Sequence, residues 1–223
     1  MKANGALTRI LWVAVILLAF IGLAMATRRA IVLVRPGAMN ASKNPAAELD
    51  AHFAKQRGLT FLHILPGMLF MVLGPLQFVR GLRNKHPAVH RWSGRIFLAA
   101  SAVIGVTGLT MVLRDSIGGA DEKSAIVIFG SFFLFALGKA LWHAMHREFA
   151  QHREWMIRGF AIGLAVATIR PIMGGFFAAA AINGRVPEPS RFFGTAFWIG
   201  FTLQAIAAEI WVRWTRPKFS VAA

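Results

Sequence analysis

The chain has 223 residues, 57% of them hydrophobic and 15% charged, with a formal net charge of +16 and no cysteine. That is too apolar for a soluble globule, whose charged share is about a quarter, and the absence of thiols excludes disulfides, thiolate metal sites, iron–sulfur clusters and covalently attached c-type haem. The positive charge does not point to nucleic acid: Lys and Arg sit in short clusters between apolar blocks, where lipid headgroups and topology rules account for them, and no interleaved basic and aromatic groove pattern occurs.

In chain order, six apolar blocks fall near 7–26, 59–79, 96–113, 124–145, 156–180 and 192–214. Each approaches the ~20 residues that cross about 30 Å of hydrocarbon. Rich in Leu, Ala, Phe and Gly, without polar alternation, they read as helices rather than barrel strands. The expected fold is therefore all-α, a polytopic transmembrane bundle of about six spanning helices. Its expected parts are 1–58, a spanning helix plus an extracytoplasmic loop; 59–180, a four-helix core; and 181–223, a loop and the last spanning helix.

The first block has two readings. Lys2 and Arg9, the apolar run and the Ala24-Met25-Ala26 triplet resemble a cleavable signal peptide, whereas Arg28 and Arg29 directly afterwards favour a retained helix. The loop that follows predicts a short surface helix, with Asn44 as N-cap, Pro45 at the first helical position and Gly58 as a stop; His52 on it reads as solvated. Lys and Arg at and beyond the helix ends are more numerous on the side holding both termini and the second-to-third and fourth-to-fifth connections. The positive-inside rule puts that side in the cytoplasm, giving a multi-pass protein of a bacterial inner membrane.

On that side the stretch "HPAVHRWSGR" precedes the third apolar block and "HREWMIR" the fifth. His90, Arg91 and Arg95 answer to His152, Arg153 and Arg158, the pattern of a repeated two-helix unit. Arg and Trp at helix ends serve as interfacial anchors, with Arg also holding phosphates. Neutral imidazole is a poor anchor, and five of seven histidines, His86, His90, His143, His146 and His152, gather on this face. His90 and His152, opening parallel helices, could hold haem b axially while the arginines pair with its propionates. His143 and His146, three apart, could ligate a metal. Each histidine also has a plain hydrogen-bonding role open to it.

Ionisable residues inside the membrane are costly, which singles out His63 in the second block and Arg170 in the fifth. Counting 1.5 Å per residue places both in the outer half, facing one pocket, where Arg170 could hold a quinone carbonyl, a carboxylate or a haem propionate, or pair structurally. Lys139 and Glu209 fall at equal depth and predict a buried ion pair. Gln77 lies within reach of the histidines. Small-residue pairs Gly105/Gly108 and Gly159/Gly163 predict close helix contacts, while Pro66, Pro75 and Pro171 predict bends. Acyl-transfer, phosphate-loop and zinc-protease signatures are missing from the sequence.

His63 with Gly67, "LGPLQF", "HRWSGR", "HREWMIR" and Arg170 together resemble the bacterial membrane proteins grouped as domain of unknown function 2306, over about 59–170. The resemblance implies a polytopic inner-membrane protein and supplies no activity or catalytic residues. A looser likeness is to di-haem transmembrane cytochromes b, from which the chain departs: the outer layer offers only His63, leaving one bis-histidine site. Three function classes follow: a redox or haem-binding membrane protein, a non-catalytic accessory or assembly subunit with membrane protein partners in the bilayer, and a carrier of protons or small solutes.

Overall fold

The computed structural model describes residues 5–35, 47–184 and 188–216. Eight helices run in the order α1 (Gly5–Val34), α2 (Ala47–Lys55), α3 (Arg57–Gln77), α4 (Arg80–Lys85), α5 (Pro87–Arg114), α6 (Gly119–Met145), α7 (Phe149–Ile182) and α8 (Pro189–Thr215). Six of them, all but α2 and α4, are long and apolar enough to cross a membrane. The all-α bundle expected from the apolar blocks is what the chain forms. The surface helix α2 lies in the first loop, while its expected cap residues Asn44 and Pro45 fall outside the described residues. The six-residue α4 has no counterpart in the apolar pattern, because a short basic turn leaves no hydrophobic period to read.

Every spanning helix except α3 outruns its apolar block, because helix geometry continues where the chain leaves hydrocarbon and turns polar. Hence α7 starts at Phe149 rather than near Met156, and α1 runs on through Arg28 and Arg29 to Val34. The two histidine motifs therefore lie inside helices: His90 and His152 are each the fourth residue of α5 and α7.

Helices α3, α5, α6 and α7 form the core, α8 packs on α6 and α7, and α1 lies against α3 and α7. Lipid tails are as apolar as leucine, so packing rather than water exclusion must hold these helices together. The packing centre is a set of phenylalanines, one from each core helix. The Phe70 ring stacks on Phe97 at 5.0 Å, meets Phe133 edge-on at 5.9 Å and lies 5.6 Å from Phe160. Gly163 and Gly74 make room: a Cβ on the first would collide with Phe70, and on the second with Phe160. Gly105 and Gly159 similarly seat Leu134 and Leu137, so the small-residue pairs are close-contact faces.

The bundle has a His90 end, where α5 and α7 begin, and an Arg170 end, where α6 and α8 begin. At the Arg170 end α8 crosses the start of α6 backbone to backbone. A Cβ on Gly118 would lie 2.6 Å from the Gly194 nitrogen, and one on Gly194 would lie 2.8 Å from the Glu122 nitrogen. Backbone cannot swing aside as a side chain does. Gly194→Ala is expected to cost about 1–3 kcal/mol, seen as a lower melting temperature in detergent, whereas Gly174→Ala, with nothing within 4 Å of the added carbon, leaves it unchanged or slightly raised.

Candidate functional site

Between α1, α3, α5, α6, α7 and α8 lies a cavity of about 230 Å³. Its deep wall is apolar, including Phe70, Ile104, Phe133 and Phe201, and its mouth at the Arg170 end is polar, with Arg29, His52, Asp115, Glu122, His63 and Arg170. His63 and Arg170, singled out for depth, thus sit on one cavity wall. Around them Gly67, Gly108, Gly130 and Gly163 leave the lining backbone bare. A Cβ on Gly67 would come no closer than 4.0 Å to any neighbour, so that face is open.

The hydrogen bonding of His63 fixes its chemistry. The Thr107 hydroxyl, one turn above in α5, donates to the Val103 carbonyl at 2.6 Å, so its oxygen accepts from His63 Nδ1 at 3.0 Å. With the proton on Nδ1, Nε2 carries a lone pair and acts as acceptor or base. Arg170 contrasts with it. Its guanidinium has no hydrogen bond or ion pair among the described residues, and the charged group that it senses, Arg28, repels it, as does its interaction with Arg29. An arginine without an acceptor is expensive in a membrane bundle.

The mouth is roofed by α2. Asp50 holds it to α1, taking two bonds from Arg28, one at 2.7 Å, and another from Arg29, whose Nη1 also donates to the Leu49 carbonyl at 3.1 Å. The Arg29 guanidinium lies 4.4 Å from the centre of the Phe53 ring, and the Thr60 hydroxyl donates to the Phe53 carbonyl at 3.0 Å. His52 faces Asp115 at 3.4 Å from the far side. The solvated role expected for His52 is thereby corrected, since the roof folds it inward against the end of α5. Glu122, buried at the start of α6, accepts from the Gly118 amide at 2.8 Å. Arg29, Asp115 and Glu122 escaped the sequence reading because each sits beside an apolar block, where a charge reads as topology. Only the fold brings them to the chamber.

At the His90 end the two motifs come together. His90 and His152 are close enough to interact electrostatically. His152 Nδ1 donates to the Ala140 carbonyl at 2.8 Å, leaving Nε2 with its lone pair, while His90 Nδ1 is buried without a hydrogen-bond partner among the described residues. The arginines are largely committed to protein. Arg95 stacks over Trp92 at 4.8 Å and Arg158 over Trp155 at 5.0 Å, a repeated contact of residues three apart. Arg153 donates to the Thr215 hydroxyl at 2.8 Å. Arg158 donates to Glu209 at 2.9 and 3.0 Å, and Arg213 binds the other oxygen of Glu209 at 2.9 Å. The expected Lys139–Glu209 pair is therefore corrected: arginines one turn away or on the facing helix outcompete Lys139, whose ammonium lies instead over the Trp142 ring at 4.8 Å. Arg91 remains exposed.

His143 is buried and bound through Nδ1 to Glu148, whereas His146 is exposed, donates to the Trp142 carbonyl at 2.8 Å and packs on the Trp142 ring. Among the described residues no three His, Cys, Asp or Glu side chains gather as a metal site. Gln77 donates to the Ser93 hydroxyl at 3.0 Å, meeting the first motif one turn beyond its histidine.

Six apolar spans enclosing a part-polar chamber define a multi-pass integral membrane protein. Residues 60–212 match a family described as predicted membrane proteins, DUF2306, and the chain belongs to it. The match runs past the motifs quoted above and takes in most of α8. No curated protein and no solved structure matches the chain.

The roof over the chamber carries a pH dependence. Burial holds His52 below the ordinary imidazole value of 6.5; Asp115 and Glu48 oppose this, and Lys55 and Arg29 add to it. A base with a depressed folded value binds fewer protons docked than free. The stability of the docked roof is thus complete above 6.5 and is lost as pH falls from there through the lowered folded value. The hydrogen-exchange protection of α2, with each amide's rate referred to its intrinsic rate at the same pH, is expected to fall as pH drops below 6.5, and His52→Gln is expected to flatten that dependence.

Proposed function

We propose that the protein binds a neutral, carbonyl-bearing ring of the quinone class in the chamber at its Arg170 end, in a bacterial inner membrane with both termini cytoplasmic. The observation that carries this reading is Arg170: a guanidinium inside a membrane bundle, lining a cavity and lacking an acceptor among the described residues. A carbonyl oxygen would satisfy it, and the lone pair on His63 Nε2 would take a hydrogen bond from a ring hydroxyl in the reduced form. Formal charge on the lining favours a neutral guest, because the two arginines Arg29 and Arg170 are equalled in number by Asp115 and Glu122, although no carboxylate among the described residues binds Arg170. Size agrees. A cavity of about 150 Å³ holds benzene, and larger drug-sized sites begin near 300 Å³, so about 230 Å³ suits a substituted single ring and not a macrocycle.

The test is titration of nanodisc-embedded protein with a short-tailed benzoquinone, read by melting temperature. Saturable stabilisation is expected. Gly67→Leu grows into open chamber and should abolish it while leaving the unliganded melting temperature near wild type. Arg170→Gln should weaken binding roughly 10- to 100-fold, the worth of a hydrogen bond to a charged group. Equal titrations for all three proteins would sink the reading.

A second reading, haem b held by His90 and His152 with arginine support at the cytoplasmic end, is favoured by the buried His90 Nδ1, without a partner among the described residues, near a histidine whose Nδ1 proton is already given to a carbonyl. It calls for a Soret band in detergent-purified protein that disappears in His90→Ala and in His152→Ala. A protein that shows neither ligand and co-purifies with other subunits would be an accessory or assembly component.

A further inference from the structure

The His90 end gathers cations faster than it neutralises them. From Asp50 to Asp115 the chain has no acidic residue, and within that stretch α4 presents Arg80 and Arg83 while α5 adds Arg91, all exposed. Their guanidinium groups have no hydrogen bond or ion pair among the described residues. Three helices nonetheless bring them together. Helix α4 packs against α5 and α3; Arg153 on α7 interacts with both Arg80 and Arg83, and His90 on α5 with Arg83, Arg91 and His152, so Arg83 lies near residues of both motif helices. Arg153 commits one amino group to Thr215. The carboxylate that it senses, Glu154, is already held through both oxygens by Arg216 and approached by Arg158 at 3.6 Å.

Arg80 and Arg83 each repel Arg153, and Arg83 and Arg91 each repel a protonated His90, so the cluster holds its geometry against its own field. Such an arrangement is the complement of a multiply charged oxyanion, and planar guanidinium forks match phosphate oxygens in particular. Beside them α5 exposes an apolar strip at helical spacing, Val89, Trp92 and Ile96, at 53%, 63% and 49%. Phosphate recognition flanked by an exposed apolar strip is the surface an anionic phospholipid presents itself to, headgroup on arginine and acyl chain along the helix.

We propose that Arg80, Arg83, Arg91 and Arg153 form a headgroup site for an anionic phospholipid. The site is independent of the quinone-class chamber at the opposite end.

Native mass spectrometry of the detergent-purified full chain, incubated with phosphatidylglycerol, cardiolipin or phosphatidylcholine, tests it. Retention of the two anionic lipids over phosphatidylcholine is expected, weakened about fivefold by Arg80→Gln or by Arg83→Gln and about 25-fold by the pair. Arg114→Gln, at the other end of α5, should leave retention unchanged. A parallel arm titrates inorganic phosphate and pyrophosphate by melting temperature: weak, salt-sensitive shifts fit a headgroup site, whereas phosphate binding as tight as the lipid would overturn the lipid assignment. Equal retention of phosphatidylcholine, wild-type retention by the double variant, or a haem Soret band lost in Arg83→Gln would each overturn the proposal.

Discussion

The bundle is organised by the way four phenylalanines share one small volume in a medium that gives them no reason to hide. Phe70 is wholly buried, as is Phe97, yet in a bilayer their rings would be equally content against lipid. What favours the core is shape: close ring contacts and glycines that let the neighbouring helices approach. This plug divides the interior. On one side Phe70 and Phe133 floor the Arg170 chamber, and on the other the Gln77–Ser93 bond closes α3 against α5. Apolar rings therefore interrupt any polar route between the ends, which weighs against a carrier and in favour of two separate sites.

Charge is handled differently at those ends. Where α7 meets α8, Glu154 and Glu209 are shared among Arg158, Arg213 and Arg216, so each buried or half-buried charge has a partner with good geometry. Such a network fixes the pitch of α8 on α7, because breaking one member would strand the others. Between α4, α5 and α7 the balance is missing, and around Arg170 it is missing at a single residue. Membrane proteins tolerate an unmatched cation where something outside the chain matches it. The structure therefore separates arginines that are paired within the bundle from those without a hydrogen bond or ion pair among the described residues, a distinction that the identical residue type conceals.

That separation also marks how far the sequence could be read. Spans, helix class and the shared depth of His63 and Arg170 follow from hydropathy and rise per residue, which are properties of one segment at a time. The equivalence of His90 and His152 followed from the repeated motif and is visible in their matching helix positions. Pairings between segments were not legible. Lys139 and Glu209 stand at matching depth but face different neighbours, and depth alone carries no azimuth. His52 looked solvated because its own helix is polar, and only Asp115, sixty-odd positions away, turns it into part of a roof. The role of α4 was hidden in a loop too basic and too short to show a period.

The chamber is also a composite in the chain's own organisation. The family match begins at residue 60, so α3 and the helices after it supply His63, Arg170, Glu122 and the phenylalanine floor. Gly22, Met25, Ala26 and Arg29 of α1 and His52 and Phe53 of α2 precede the match, yet they complete the wall and the roof. Helix α1 is also the least embedded, with no buried residue in its most apolar window, and it meets α3 where Gly22 accepts Met71. Without these two helices the polar groups of the chamber would face lipid, an arrangement that Arg170 in particular could not sustain. The roof that α2 lays over the mouth is itself held to α1 by Asp50, Arg28 and Arg29, so the same ion pairs that seat α2 on α1 also complete the polar rim of the chamber.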